Sequence, residues 1–134
     1  MGKLTERLKD ATRSGVYRVT RADEVVDAVQ GTGNSLARIR YADEPALMKN
    51  IAAALRLPDW FGANWDALED SLSDLPDRGY VLLFEGAQAG DELGVLIDVL
   101  HSSAEWWAGR GKPFFAVFID AARALPLPDL FREK

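Results

Sequence analysis

Tyr80-Val81-Leu82-Leu83-Phe84 is an unbroken apolar run between turn signals, and Phe114-Phe115-Ala116-Val117-Phe118-Ile119 is a second. Neither run alternates with polar residues, so neither has a wet face. Such runs fit strands buried on both sides, as in a parallel sheet covered by helices. Between them, Asp91 to Ala108 reads as a helix with Leu93, Ile97, Leu100, Ala104 and Trp107 on one face. Gly109 and Gly111 stop it. Strand, helix, strand is the unit that parallel pairing requires.

The same grammar extends upstream. Leu36 to Tyr41 sets Ala37, Ile39 and Tyr41 against Arg38 and Arg40, a strand with one wet face. Asp43-Glu44-Pro45 marks a helix start, and Leu47, Ile51 and Leu55 carry the helix to about Leu55. Leu57 to Ala63, broken by Pro58 and Gly62, predicts a loop. Asn64 is the expected N-cap of a helix running to about Asp74. Nearer the N-terminus, Lys3 to Thr12 reads as a short polar helix, Gly15 to Thr20 as a strand, and Ala22 to Gln30 as a helix. Gly31-Thr32-Gly33 is no phosphate loop, because a strand follows it rather than a helix. The tail, with Pro126 and Pro128, reads as irregular. The order from Leu36 predicts an α/β fold: a small three-stranded parallel sheet with packed helices, plus an extra N-terminal strand and helix. One domain is expected over residues 1–134, with a core at about 36–120, an N-terminal extension at 1–34 and a tail at 121–134.

Composition narrows the function. Of 134 residues, 48% are apolar, enough for a real core and too many for a disordered chain. There is no cysteine, which excludes a disulfide framework and a thiolate zinc site. The first fifteen residues mix charges with few apolar side chains, unlike a secretory signal. No apolar run approaches the roughly 20 residues of a membrane span. The net charge of −5 argues against direct nucleic-acid binding. The expectation is a cytoplasmic protein with no membrane contact, no metal and no cofactor.

The charge is unevenly spread. Residues 57–77 hold six acids and no Lys or Arg, so this window carries −6 of the net −5 and the rest of the chain nets to about +1. On a helix starting at Asn64, at about 100° per residue, Trp65, Leu68, Leu72 and Leu75 share one stripe, the core face. Asp66, Glu69, Asp70, Ser73 and Asp74 fall on the opposite side. Asp66 and Asp70, at i and i+4, repel by a few tenths of a kcal/mol, so stability does not explain their placement. An acidic face is commonly just a solvated one, and Asp66 in the first turn is favoured by the helix dipole. Trp60 and Phe61, in the loop just before it, tilt the reading: an aromatic beside carboxylates is the composition of a binding hot spot.

Leu57-Pro58-Asp59-Trp60-Phe61-Gly62-Ala63-Asn64-Trp65-Asp66-Ala67-Leu68-Glu69-Asp70 resembles the central motif of the barstar family, the intracellular inhibitors of secreted guanyl-type ribonucleases. That motif has Leu-Pro, two aromatics, Gly, any residue, Asn, an apolar residue, Asp-Ala-Leu, a variable position and Asp. The resemblance covers about Leu36 to Asp120. It implies a one-to-one protein inhibitor, not an enzyme, whose helix and preceding loop plug the ribonuclease active site. It also implies contacts from Trp60, Phe61, Gly62, Asn64, Asp66 and Asp70, with Glu69, Ser73 and Asp74 on the same surface. A glutamate on the following helix falls nearest Glu105. Two departures stand out. Glu69 and Leu75 occupy positions where the best-known member has aromatics, so this surface is more acidic and less aromatic. The physical account is mimicry: carboxylates at fixed spacing take the places of phosphates among Arg, Lys and His, with no bond to cleave.

Two other classes stay open on the residues alone. One is a non-inhibitory binding module, or an immunity-type protein for another basic partner. The other is a carboxylate-based hydrolase using Asp66, Asp70 or Glu69. Carboxylates on one helix supply only one side of a metal site, and the single histidine, His101, lies on a different helix. Ser71, Ser73, Ser102 and Ser103 carry no nucleophile motif, and Gly86, Gly90 and Gly94 read as turn and packing residues.

Overall fold

The computed structural model describes residues 3–58 and 64–131. The elements are α1 (Lys3–Leu8), a 3-10 turn (Ala11–Arg13), β1 (Gly15–Val19), α2 (Ala22–Val29), β2 (Ser35–Arg40), α3 (Glu44–Leu55), α4 (Trp65–Ser73), β3 (Tyr80–Glu85), α5 (Asp91–Gly109) and β4 (Phe114–Ile119). The fold is α/β with an all-parallel sheet, as expected. The sheet has four strands rather than three, in the order β1-β4-β3-β2. The N-terminal strand is its edge, with Gly15 to Val19 in register with Phe115 to Ile119.

The central strands explain the rest. Tyr80, Leu82 and Phe84 of β3, with Phe114, Ala116 and Phe118 of β4, enter one buried cluster. Val81, Leu83, Phe115 and Val117 enter another on the opposite face. The period of two sends alternate side chains to opposite layers. The first layer is closed by Leu47, Met48 and Ile51 of α3, Leu68 and Leu72 of α4, and one side of α5. Leu8 of α1, Val25, Ala28 and Val29 of α2, and Leu130 of the tail close the second. The buried side of α5 is Leu93, Leu96, Val99, Leu100, Ser103, Ala104 and Trp107. Ile97, expected within that stripe, is only partly buried and packs at its margin.

Helix ends follow local chemistry. Asp43 accepts from the Ala46 amide at 3.4 Å to cap α3. Gly111, at φ +77, lets the Gly111 amide reach the Ala108 carbonyl (2.9 Å) and the Lys112 amide the Trp107 carbonyl (3.0 Å), closing α5. The tail is irregular but firmly attached. The Asp120 carboxylate accepts from the Ala124 and Leu125 amides at 2.9 and 2.8 Å. Arg18 donates from Nε to Asp129 at 2.9 Å and from Nη1 to the Leu125 carbonyl at 3.0 Å.

Among the described residues, Ser103 Oγ is the buried side-chain oxygen with no hydrogen-bond partner. Ser103 is 1% exposed. An unsatisfied buried hydroxyl costs roughly 1–3 kcal/mol, and Ala is the better helix former. Ser103→Ala should therefore raise the urea-unfolding free energy by about 1 kcal/mol. A loss of stability instead would mean that the hydroxyl is bonded in solution.

Candidate protein-binding face

Helix α4 is built to keep one face dry and the other bare. Asn64 stands in extended geometry (φ −136, ψ 172), and its side-chain oxygen accepts from the Ala67 amide at 2.8 Å. That satisfies one of the orphan donors of the first turn. Leu68 and Leu72 are fully buried, while Trp65 and Leu75 pack at the edge of the same cluster. Ser71 is buried as well, although its hydroxyl gave no sign of this in the sequence.

Two aromatics hold the far end of the helix. The Trp107 indole Nε1 donates to the Leu72 carbonyl at 2.9 Å, a buried bond to an acceptor in the last turn that has no partner within the helix. The Tyr80 hydroxyl donates to the Pro76 carbonyl at 2.6 Å, fixing the turn that follows. The Tyr80 and Trp107 rings meet at 5.7 Å between centroids, so the two clamps share one aromatic cluster. Burial pushes the Tyr80 hydroxyl above its ordinary pKa of 10.0, against the pull of Arg78, with Asp77 adding to the rise. A raised pKa keeps the group protonated, and hence a donor, throughout the neutral range. Its contribution to stability fades only as the pH climbs above about 10. Trp107 was placed on the core face of its helix by spacing; the bond to α4 was not legible, because its acceptor lies on another element.

The outer face carries the predicted carboxylates. Asp66, Glu69, Asp70 and Asp74 are all exposed. Among the described residues, none of the four enters an ion pair. The structure therefore brings these four together on one unneutralised surface. Ser73 is half-buried, and its hydroxyl donates back to the Glu69 carbonyl of its own helix at 3.3 Å. Asn64 is occupied as the cap. Glu105 is exposed on α5, and no described bond links it to the α4 acids. Trp60, Phe61 and Gly62 lie outside the described residues. One aromatic that the sequence reading passed over is visible: Trp106 is 41% exposed, with the Arg110 guanidinium 4.8 Å from its ring centroid. Among the described residues, no group of three His, Asp or Glu side chains is placed to hold a metal ion. No helix there is long and apolar enough to cross a membrane.

A family model described as "Barstar (barnase inhibitor)" matches residues 35–119. The chain belongs to the barstar family. The match opens at the first residue of β2 and closes at the last of β4, so it takes in α3, α4 and α5. It leaves out α1, β1, α2 and the tail. No curated protein matches the chain.

The two faces of α4 should respond oppositely to truncation. Asp70→Ala removes an exposed, unpaired carboxylate and should change stability by less than about 0.5 kcal/mol. Leu68→Ala opens a cavity in the first layer and should cost roughly 2–5 kcal/mol. Urea unfolding of both variants checks this; an Asp70→Ala protein that unfolds easily would place that carboxylate in the fold instead.

Proposed function

We propose that this barstar-family protein is a one-to-one inhibitor of a secreted microbial guanyl-type ribonuclease, held in the cytoplasm of the cell that makes the enzyme. One observation carries the reading: within the family-matched segment, a clamped helix presents four carboxylates that no cation among the described residues neutralises. A ribonuclease cleft gathers positive charge to bind phosphates. Asp66 and Asp70, one helical turn apart, take the phosphate places, with Glu69 and Asp74 widening the acidic field. Trp60, Phe61 and Gly62 form the loop side of the contact, and Asn64 holds the helix start against it. Ser73 and Glu105 sit at the margin. Charge-assisted bonds from Arg to carboxylate are short and strong, and a rigid helix loses little entropy in making them. No bond in the inhibitor lies where the enzyme cleaves.

Two measurements test the reading. Titration against a panel of guanyl-type ribonucleases with a fluorogenic RNA should show stoichiometric inhibition of at least one member. No inhibition at micromolar protein would remove the ribonuclease reading, and turnover of the RNA would make the chain an enzyme. Asp70→Ala should weaken the complex by about 2–5 kcal/mol, the general cost of stranding one charge of a buried pair, for which barstar with barnase is itself a reference case. The association rate should fall steeply from low to physiological salt while dissociation changes less. A flat association rate would mean that the acidic face serves solvation only.

A further inference from the structure

The two edges of the sheet are treated differently. At the β1 edge, the Arg18 amide donates to the Pro128 carbonyl and the Arg18 carbonyl accepts from the Leu130 amide, both at 2.9 Å. The tail thus closes that edge. At the other edge, β2 pairs only with β3. The Ser35 amide donates to the Gly79 carbonyl and the Tyr41 amide to the Glu85 carbonyl. By the alternation of a parallel ladder, the backbone groups of Leu36, Arg38 and Arg40 face away from the sheet. The Arg40 carbonyl is taken by the Asn50 side chain at 2.9 Å. Among the described residues, Leu36 and Arg38 keep open donors and acceptors.

A groove of about 660 Å³ runs beside this edge, between the C-terminal ends of α3 and α4. Leu55, Leu57 and Leu75, all half-buried, give it an apolar floor, and Leu36 borders it at the strand edge. Arg56 and Arg78 line it and are exposed. Neither forms an ion pair among the described residues; Arg78 donates only to the Ser35 hydroxyl, at 3.3 Å. Arg56 closes α3 at φ 55, a left-handed geometry where glycine is the cheaper residue. Asp74 borders the groove and is the one acid among its described lining residues. Arg38 and Arg40, also exposed, add positive charge along the strand, although Arg38 is held over the sheet by Glu85 at 2.8 Å.

We propose that the open edge of β2 and this groove receive an extended acidic segment of a protein partner, added to the sheet as a further strand. Main-chain bonds to Leu36 and Arg38 would hold it. On the side of the segment that faces the groove, an aliphatic side chain would fill the floor and carboxylates two residues before and after it would meet Arg56 and Arg78. Charge complementarity selects this occupant over a second copy of the chain, because pairing β2 with β2 would bring like guanidiniums together. The surface adjoins the acidic face of α4 only at Asp74, and the proposal does not rest on the ribonuclease reading.

The probes are short acetylated peptides, about six residues long, of the pattern Glu-Thr-Leu-Thr-Glu-Thr, which sets Glu, Leu and Glu on one face. Anisotropy titration of the intact protein should give saturable binding, and exchange of the Leu36 and Arg38 amides should slow on addition. The same peptides with Lys in place of Glu should leave those amides unprotected. The double variant Arg56→Glu, Arg78→Glu should weaken binding about tenfold. Arg38→Pro removes an outward donor and no ladder bond, so it should abolish binding while circular dichroism stays unchanged. If Arg38→Pro does not fold, amide protection and the charge reversal decide the matter. No saturable binding by about 1 mM, unchanged amide exchange, or indifference to the charge reversal would each overturn the proposal.

Discussion

Strands β3 and β4 have no face that tolerates water, and the architecture answers that constraint. Their side chains alternate between two buried clusters, so two layers of cover are obligatory. The family-matched segment, residues 35–119, brings the helices of only the first layer. Val81, Leu83, Phe115 and Val117 point the other way and are 0% exposed. Returning one such side chain to water costs about 1.5–3 kcal/mol. Four together approach the entire net stability of an ordinary domain, about 5–15 kcal/mol. Residues before Ser35 are therefore part of the fold: α1, α2 and the tail supply the second layer, and β1 extends the surface on which they sit.

That arrangement frees α4 from any structural duty on its outer face. The helix needs Leu68 and Leu72 inward, a cap at Asn64, and the two clamps from Trp107 and Tyr80. None of these calls for the chemistry of Asp66, Glu69, Asp70 or Asp74. Clustering like charges there costs a few tenths of a kcal/mol per i, i+4 pair. A penalty of that size is small beside one buried leucine, so the fold carries it without distortion.

What the sequence made legible was whatever lies along one element. The two apolar runs, the cap at Asn64, the Leu68–Leu72 stripe and the acidic opposite face follow from spacing alone. What it hid was the pairing between distant elements. Gly15 to Thr20 reads as a strand from its alternation, but alternation does not name a partner, and that partner is β4, about a hundred positions later. The tail, irregular by its prolines, is secured by Arg18 bonding across 111 positions to Asp129. The buried side of α5 includes Leu96 and Val99 rather than Ile97, because the helix is wedged among α4, β1 and β4 and buries a wider arc than one stripe. Trp106 is exposed on α5, far along the chain from the acidic window and next to the buried Trp107, so nothing local in the sequence marks it as exposed.

The distribution of positive charge is as specific as that of negative charge. The chain has 16 Lys and Arg residues, yet the described ion pairs lie elsewhere: around α1 and the turn after it, at the start of α2, at the Arg18 network, and between β2 and β3. A long cation reaching α4 would gain at most about 1 kcal/mol as a surface pair, and would have to be displaced before any basic partner could bind. Keeping the arginines at the β2 edge avoids that competition. It leaves two surfaces of opposite sign that meet at Asp74, which closes α4 and borders the groove. Each surface repels what the other attracts, so a basic and an acidic partner would be sorted by field before any contact is made.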